Sequence, residues 1–133
     1  IIYLPQEISE HDCASALLDV LRLPDDQLGK LMTIVSRLGS RPARLIDSKQ
    51  PSPGETRKLL LALGMLKLPH AIIMDEPTNH LDVLSIEALE QALADCPCAI
   101  ILVSHDEAFI GALDMQRWQI SEHEAGESVL APT

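Results

Sequence analysis

Residues Ala71 to Asp82 read A-I-I-M-D-E-P-T-N-H-L-D, and this stretch limits the possible folds more than any other. Four apolar residues, two of them β-branched, run directly into Asp75 and Glu76. Such a run suits a buried parallel strand. Pro77, which has no amide hydrogen to add to a ladder, stops it. Open α/β sheets bind their ligands at the carboxyl ends of parallel strands. Two adjacent carboxylates at that place can do two jobs: one holds the Mg²⁺ of a nucleotide, the other polarises a water. The plain alternative is a strand that ends in a solvated acidic turn. D-E alone favours that alternative; the continuation P-T-N-H-L-D reverses the odds.

A chain of 133 residues can bury one modest core. With 47% apolar and 23% charged residues, it reads as globular rather than disordered. Aromatic residues are scarce, so Leu, Ile, Val and Ala must fill the core. No apolar run reaches the ~20 residues of a membrane span, and no secretory signal is read at the start. The chain begins at Ile1 without Met, which leads us to expect a piece of a longer protein. The net charge of −10 argues against a broad surface gripping nucleic-acid phosphates. Cys13, Cys96 and Cys98 lack the spacing of a zinc site and are expected to be reduced core thiols. A cytoplasmic location follows.

Turn and capping signals divide the chain. Ile1 to Leu4 reads as the end of a strand. Ser9 and Asp12 form a capping box in its Asp form, ahead of a helix with Ala14, Leu17, Leu18 and Leu21 on its apolar face. Pro24 breaks that helix. A second helix fits Asp26 to Leu38, with Gly39 as its C-terminal cap. Ser40 to Pro51 is a polar connection with one short turn at Ala43 to Ile46. Ser52, Pro53 and Glu55 then open a third helix with a full capping box. Leu59, Leu60, Leu63 and Leu66 continue it. The strand Ala71 to Asp75 is followed by a helix Val83 to Asp95 and a strand Ala99 to Val103. A helix Glu107 to Leu113 and a last strand Arg117 to Ile120 complete the core. Alternating strands and helices favour a parallel sheet.

The Ala71 to Asp82 stretch resembles the Walker B motif and D-loop of the ATP-binding cassette (ABC) superfamily, and its N-H-L-D ending is most similar to the ABC-F branch. Four further positions fit in order. Gln6, in I-Y-L-P-Q, resembles the Q-loop glutamine. Pro51-Ser52-Pro53-Gly54-Glu55 resembles the signature motif, with Pro51 in place of the usual Leu and Pro53 in place of the first Gly. His105, after I-L-V-S, resembles the switch histidine, and Asp82 closes the D-loop. Without the family, Ser52, Pro53 and Glu55 read simply as a helix cap. Gly54 would let a phosphate approach the backbone, while Pro53 withholds an N–H from it. His11, His70 and His123 read as exposed polar residues.

The resemblance implies an α/β fold: a P-loop NTPase (ABC ATPase) core with a partial parallel sheet and an inserted helical subdomain. Residues 1–7 would be the end of a core strand and the Q-loop, and 8–67 the helical subdomain with the signature motif. Residues 68–121 would be the catalytic core, and 122–133 a flexible tail. It implies ATP and Mg²⁺ as cofactors. Asp75 and Gln6 would hold the metal, and Glu76, His105 and Gln6 would serve hydrolysis. Ser52, Gly54, Glu55 and Asp82 would meet the nucleotide of a second cassette, paired head to tail. A P-loop needs G-x-x-x-x-G-K-[ST]. The chain's only Gly-Lys, Gly29-Lys30, has Pro24 and Leu31 where a glycine and a hydroxyl belong. The resemblance therefore covers only the later part of a cassette. The expected function is an ATPase of the ABC-F kind, working in a full-length, paired context, with this piece alone inactive and prone to self-association. Two alternatives are the ATP-binding subunit of an ABC membrane transporter, docked on its membrane subunit, and a non-catalytic interaction module. An ABC-F role would make the ribosome a partner.

Overall fold

The computed structural model describes residues 1–48, 51–122 and 128–133. The chain runs β1 (Ile2–Leu4), α1 (Glu10–Leu21), α2 (Asp25–Arg37), α3 (Pro42–Asp47) and α4 (Pro53–Leu66). It continues β2 (Ala71–Asp75), α5 (Val83–Ala94), β3 (Ala99–Val103), α6 (Glu107–Ala112), β4 (Trp118–Glu122) and β5 (Ser128–Pro132). The expectation for His123, and part of that for the 122–133 tail, lies outside the described residues.

β1, β2 and β3 form a parallel sheet in that order, with β2 in the middle. Leu4 stands beside Met74, and Met74 beside Leu102. The strand period of two sends Ile2, Leu4, Ile72, Met74, Ile100 and Leu102 to one face, where Ile72 and Met74 are completely buried. The other face is open in part: Tyr3 is 60% exposed and Ile101 56%. β2 and β3 begin and end where the sequence places them. β3, however, is covered on only one side among the described residues, so its odd-numbered side chains stand in solvent.

Helices α1 to α4 all lie between β1 and β2 in the chain, as an inserted helical subdomain does. α4 is their hub and packs against α1, α2 and β1. It carries buried residues all round, including Thr56, Arg57 and Lys58 beside Leu59, Leu61, Ala62 and Leu63. Its capping box forms as expected: Glu55 N–H donates to Ser52 Oγ, and Ser52 N–H to Glu55 Oε2. The Ser9–Asp12 box at the start of α1 forms too. Gly39 ends α2 with φ +74°, a left-handed conformation that favours glycine.

Two expectations need correction. The apolar face of α1 was expected at Ala14, Leu17, Leu18 and Leu21, but Ala16 and Val20 are the buried residues, and Leu18 and Leu21 are exposed. α1 has apolar residues on more than one side, so its sequence does not single out the side that meets α4. The last strand, expected to continue the parallel core, pairs antiparallel with β5 in a separate two-stranded sheet.

Candidate active site

The carboxyl end of β2 gathers the first group of residues. Asp75 ends the strand half-buried, and Glu76 follows with φ 46°. A glutamate in the left-handed region costs energy, and such strain concentrates at functional sites. The surroundings hold it in place. Glu76 N–H donates to the Val103 carbonyl at 2.8 Å, which extends the β2–β3 ladder by one bond. The Glu76 carbonyl accepts from Asn79 N–H at 3.2 Å and from Arg57 Nη1 at 2.7 Å. Residues Glu76 to Asn79 thus close a turn with Pro77, fully buried, at its second position.

The Glu76 side chain is 12% exposed. Its Oε2 lies 3.4 Å from the His105 amide, and its Oε1 3.5 Å from His105 Nε2. The second distance is too long for a hydrogen bond, and Oε1 is left buried without a donor among the described residues. The His105 ring itself is almost fully exposed. The next residue, Asp106, caps α6 by accepting from the Phe109 amide at 3.0 Å, which fixes the loop that carries His105.

Arg57 is the residue that sequence reasoning missed. It is 4% exposed, and its guanidinium donates to the main-chain carbonyls of both Gln6 and Glu76. One side chain from the helical subdomain thereby ties the loop after β1 to the turn after β2. Burial lowers its pKa, and the nearby charge of Asp75 pulls the other way. A signal was present: in α4 the pair Arg57-Lys58 leads straight into Leu59-Leu60-Leu61-Ala62-Leu63, and a helix apolar on all sides cannot keep both bases in solvent. Gln6 meets this network through its carbonyl, with an exposed side chain.

The second group lies at a separate cleft of about 360 Å³. Ser52, Gly54, Glu55, His80 and Asp82 line it, together with Arg41, Arg44, Lys58 and Ser85. Asp82 caps α5, accepting the Ser85 amide at 2.7 Å. Hydrogen bonds from Ser85, its side chain foremost, lower the pKa of Asp82. Lys58 Nζ donates to Ser85 Oγ at 2.6 Å, and burial lowers the pKa of its ammonium. Gly54 has a packing reason to be glycine: a Cβ there would stand 2.7 Å from the His80 carbonyl oxygen. His80 in turn has φ 63°, so the loop between β2 and α5 is shaped around α4.

The structure thus brings Gln6, Asp75, Glu76 and His105 to one side, and Ser52, Gly54, Glu55 and Asp82 to another. Gly29-Lys30 lies inside α2, as its failure to match a P-loop implied. The three cysteines are free. The Cys96 and Cys98 Sγ atoms are 2.7 Å apart, and the Cys98 thiol is pushed up to about 11, chiefly by burial. The described residues contain no cluster of His, Cys, Asp and Glu able to hold a metal unaided. None of their helices is long and apolar enough to cross a membrane.

A scan of known protein families finds no family model that matches the chain. Individual relatives do match. The chain is 36% identical over 110 residues to the ATP-binding protein Uup of Caulobacter vibrioides, a match that spans 83% of this chain and 17% of the relative. It is 40% identical over 92 residues to ATP-binding cassette sub-family F member 3 of Mus musculus, spanning 69% of this chain and 12% of that protein. It is 48% identical over 59 residues to the energy-dependent translational throttle protein EttA of Mycobacterium tuberculosis, spanning 44% of this chain and 11% of that protein. Among solved structures, the RNase-L inhibitor matches 98% of this chain and 27% of its own length, with a TM-score of 0.64 at 17% identity. That likeness establishes the fold, and the sequence matches establish the kinship. The chain belongs to the ATP-binding-cassette ATPases, as part of an ABC ATPase domain homologous to the ABC-F proteins.

Proposed function

We propose that the chain contributes two half-sites to an ATPase of paired cassettes. Gln6, Asp75, Glu76 and His105 serve one ATP; Ser52, Gly54, Glu55 and Asp82 meet the ATP of the partner cassette. The observation that carries this reading is the Glu76 carboxylate. Its Oε1 is buried, lacks a donor, and sits at the carboxyl end of a parallel sheet beside an exposed histidine. An acceptor left unsatisfied in this way suits a water that is about to attack. The separation of the two groups also supports the reading, since a head-to-tail pair needs them on different surfaces.

Asp75 and Gln6 would hold Mg²⁺. The ion, bound with ATP, would neutralise charge on the phosphate oxygens. Glu76 accepts the proton of a water or orients it, and His105 donates a hydrogen bond toward the terminal phosphate. The φ of Glu76 and the grip of Arg57 on its carbonyl fix where that carboxylate points. Positioning of this kind dominates phosphoryl transfer, which asks little covalent chemistry of the protein.

The chain alone is expected to bind ATP weakly and to hydrolyse none. In the intact protein, Glu76→Gln should keep nucleotide binding and nearly abolish turnover; steady-state ATPase activity at the wild-type level would remove Glu76 from the mechanism. We place the protein in the cytoplasm and in translation rather than membrane transport. The N-H-L-D loop and the name of the relative EttA support that choice. Co-sedimentation of the intact protein with ribosomes on a sucrose gradient tests it, and exclusive migration with a membrane complex would reverse it.

A further inference from the structure

The turn between α5 and β3 reads Cys96-Pro97-Cys98 and belongs to neither group of candidate site residues. Two cysteines at a strand entry read first as small apolar side chains, and both do pack against the core. Their geometry adds something that packing does not require. The Sγ atoms stand 2.7 Å apart, and a disulfide bond is about 2.05 Å long. Only a small approach of the two side chains separates the thiols from bonding distance.

The local sequence holds them there. Cys96, Cys98 and Ile100 are half-buried, while Pro97 and Ala99 are exposed. Residues two apart in extended chain share a face, so both thiols turn to the same side. Pro97 fixes its own φ and favours extended backbone at Cys96. Both ends of the turn are anchored: Cys96 N–H donates to the Leu93 carbonyl at 3.1 Å, and Ala99 N–H to the His70 carbonyl at 3.1 Å. Little backbone freedom is left to lose when the sulfurs join. Cys13, on α1, is also free but makes no sulfur contact among the described residues. The pair is not a metal site, because among the described residues no third ligand joins it and a structural zinc takes four.

We propose that Cys96 and Cys98 form a thiol–disulfide modification site, which closes to an intramolecular disulfide on reaction with a low-molecular-weight disulfide of the glutathione class. The site does not depend on the ATPase reading. Burial first, and then the contact with Cys96, push the Cys98 thiol up to about 11, so Cys96 is the first nucleophile. Its thiolate attacks one sulfur of the small disulfide, the S–S bond breaks, and one small thiol leaves with the proton that Cys96 gave up. Cys98 then attacks the Cys96 sulfur of the mixed disulfide, and the second small thiol leaves with the Cys98 proton. Two protein thiols are oxidised and one small disulfide is reduced to two thiols. The Cys96 thiolate, which helps to keep the proton on Cys98, is gone at the step where Cys98 must ionise. In a reducing compartment such a bond is transient rather than structural. It forms at the amino end of β3, whereas His105 lies beyond the carboxyl end, roughly 16 Å along the strand.

The test incubates the 133-residue chain with excess glutathione disulfide near neutral pH, quenches it with acid and maps the cysteines by mass spectrometry. The expected product has lost two hydrogens and has Cys96 joined to Cys98. Because the second step is intramolecular, this product should outnumber the mixed disulfides of Cys96 and Cys98 by at least about ten-fold. Cys13, with no neighbouring sulfur, should retain whatever glutathione it takes up. Cys98→Ser should stop at the mixed disulfide on Cys96, and Cys13→Ser should close as wild type does. Circular dichroism checks that each variant folds. A pair that stays reduced overturns the site. So does a product in which Cys96 and Cys98 carry only mixed disulfides, or one in which Cys13 rather than Cys98 is joined to Cys96.

Discussion

Replacing Arg57 by Met tests the architecture at its most connected point. The guanidinium is 4% exposed and donates to two main-chain carbonyls, those of Gln6 and Glu76. Methionine keeps most of the stem, so the change removes donors without opening a large cavity. Hydrogen bonds from a charged group contribute about 1.5–3 kcal/mol each; the Gln6 carbonyl loses this donor, while the Glu76 carbonyl keeps the Asn79 amide. Two such bonds suggest a gross loss of about 3–6 kcal/mol. Removing a buried charge returns part of this, because desolvation already works against the guanidinium. The net loss should be about 2–4 kcal/mol, a large fraction of a stability on the order of 10 kcal/mol for a chain this size. Urea unfolding should show a lower midpoint with an unchanged slope. Arg57→Lys can serve only part of the arrangement and should fall between wild type and Arg57→Met. A loss below about 0.5 kcal/mol, the range of an ordinary surface substitution, would refute the claim that this side chain joins the two loops.

Three further outcomes follow from the same geometry. Gly54→Ala places a Cβ 2.7 Å from the His80 carbonyl oxygen, a backbone atom that cannot rotate away; it should cost about 1–3 kcal/mol in urea unfolding, and wild-type stability would mean that the loop yields freely. Hydrogen bonds from Ser85 hold the Asp82 pKa below the ordinary aspartate range, so its stabilisation is complete above that range and fades as the pH falls through the lowered value. The thermal midpoint of Asp82→Ala should therefore trail wild type at neutral pH and converge with it in strong acid; a constant gap would contradict this assignment. The open sheet face at Tyr3, Ile101 and Val103 should make the chain self-associate. Sedimentation velocity should show Ile101→Thr/Val103→Thr shifting toward monomer, and a wild-type chain that is already monomeric at high concentration would sink the idea.

Local chemistry was legible and long-range placement was not. Capping boxes at Ser9 and Ser52, the Gly39 stop and the strand Ala71–Asp75 are set by residues within four positions of one another, and each appears where the sequence puts it. The face of α1, the pairing of β4 with β5 and the burial of Arg57 and Lys58 depend on partners far along the chain. The candidate site divides the same way. Asp75 and Glu76 could be read from one strand end, but the fact that fixes Glu76 is a guanidinium nineteen residues earlier. Arg57 holds the site carboxylate by its backbone, and Lys58, its neighbour, faces the other cleft. Consecutive positions on a helix point about 100° apart. One turn of α4 therefore touches both groups of candidate residues, and a movement of this helix would have to move both.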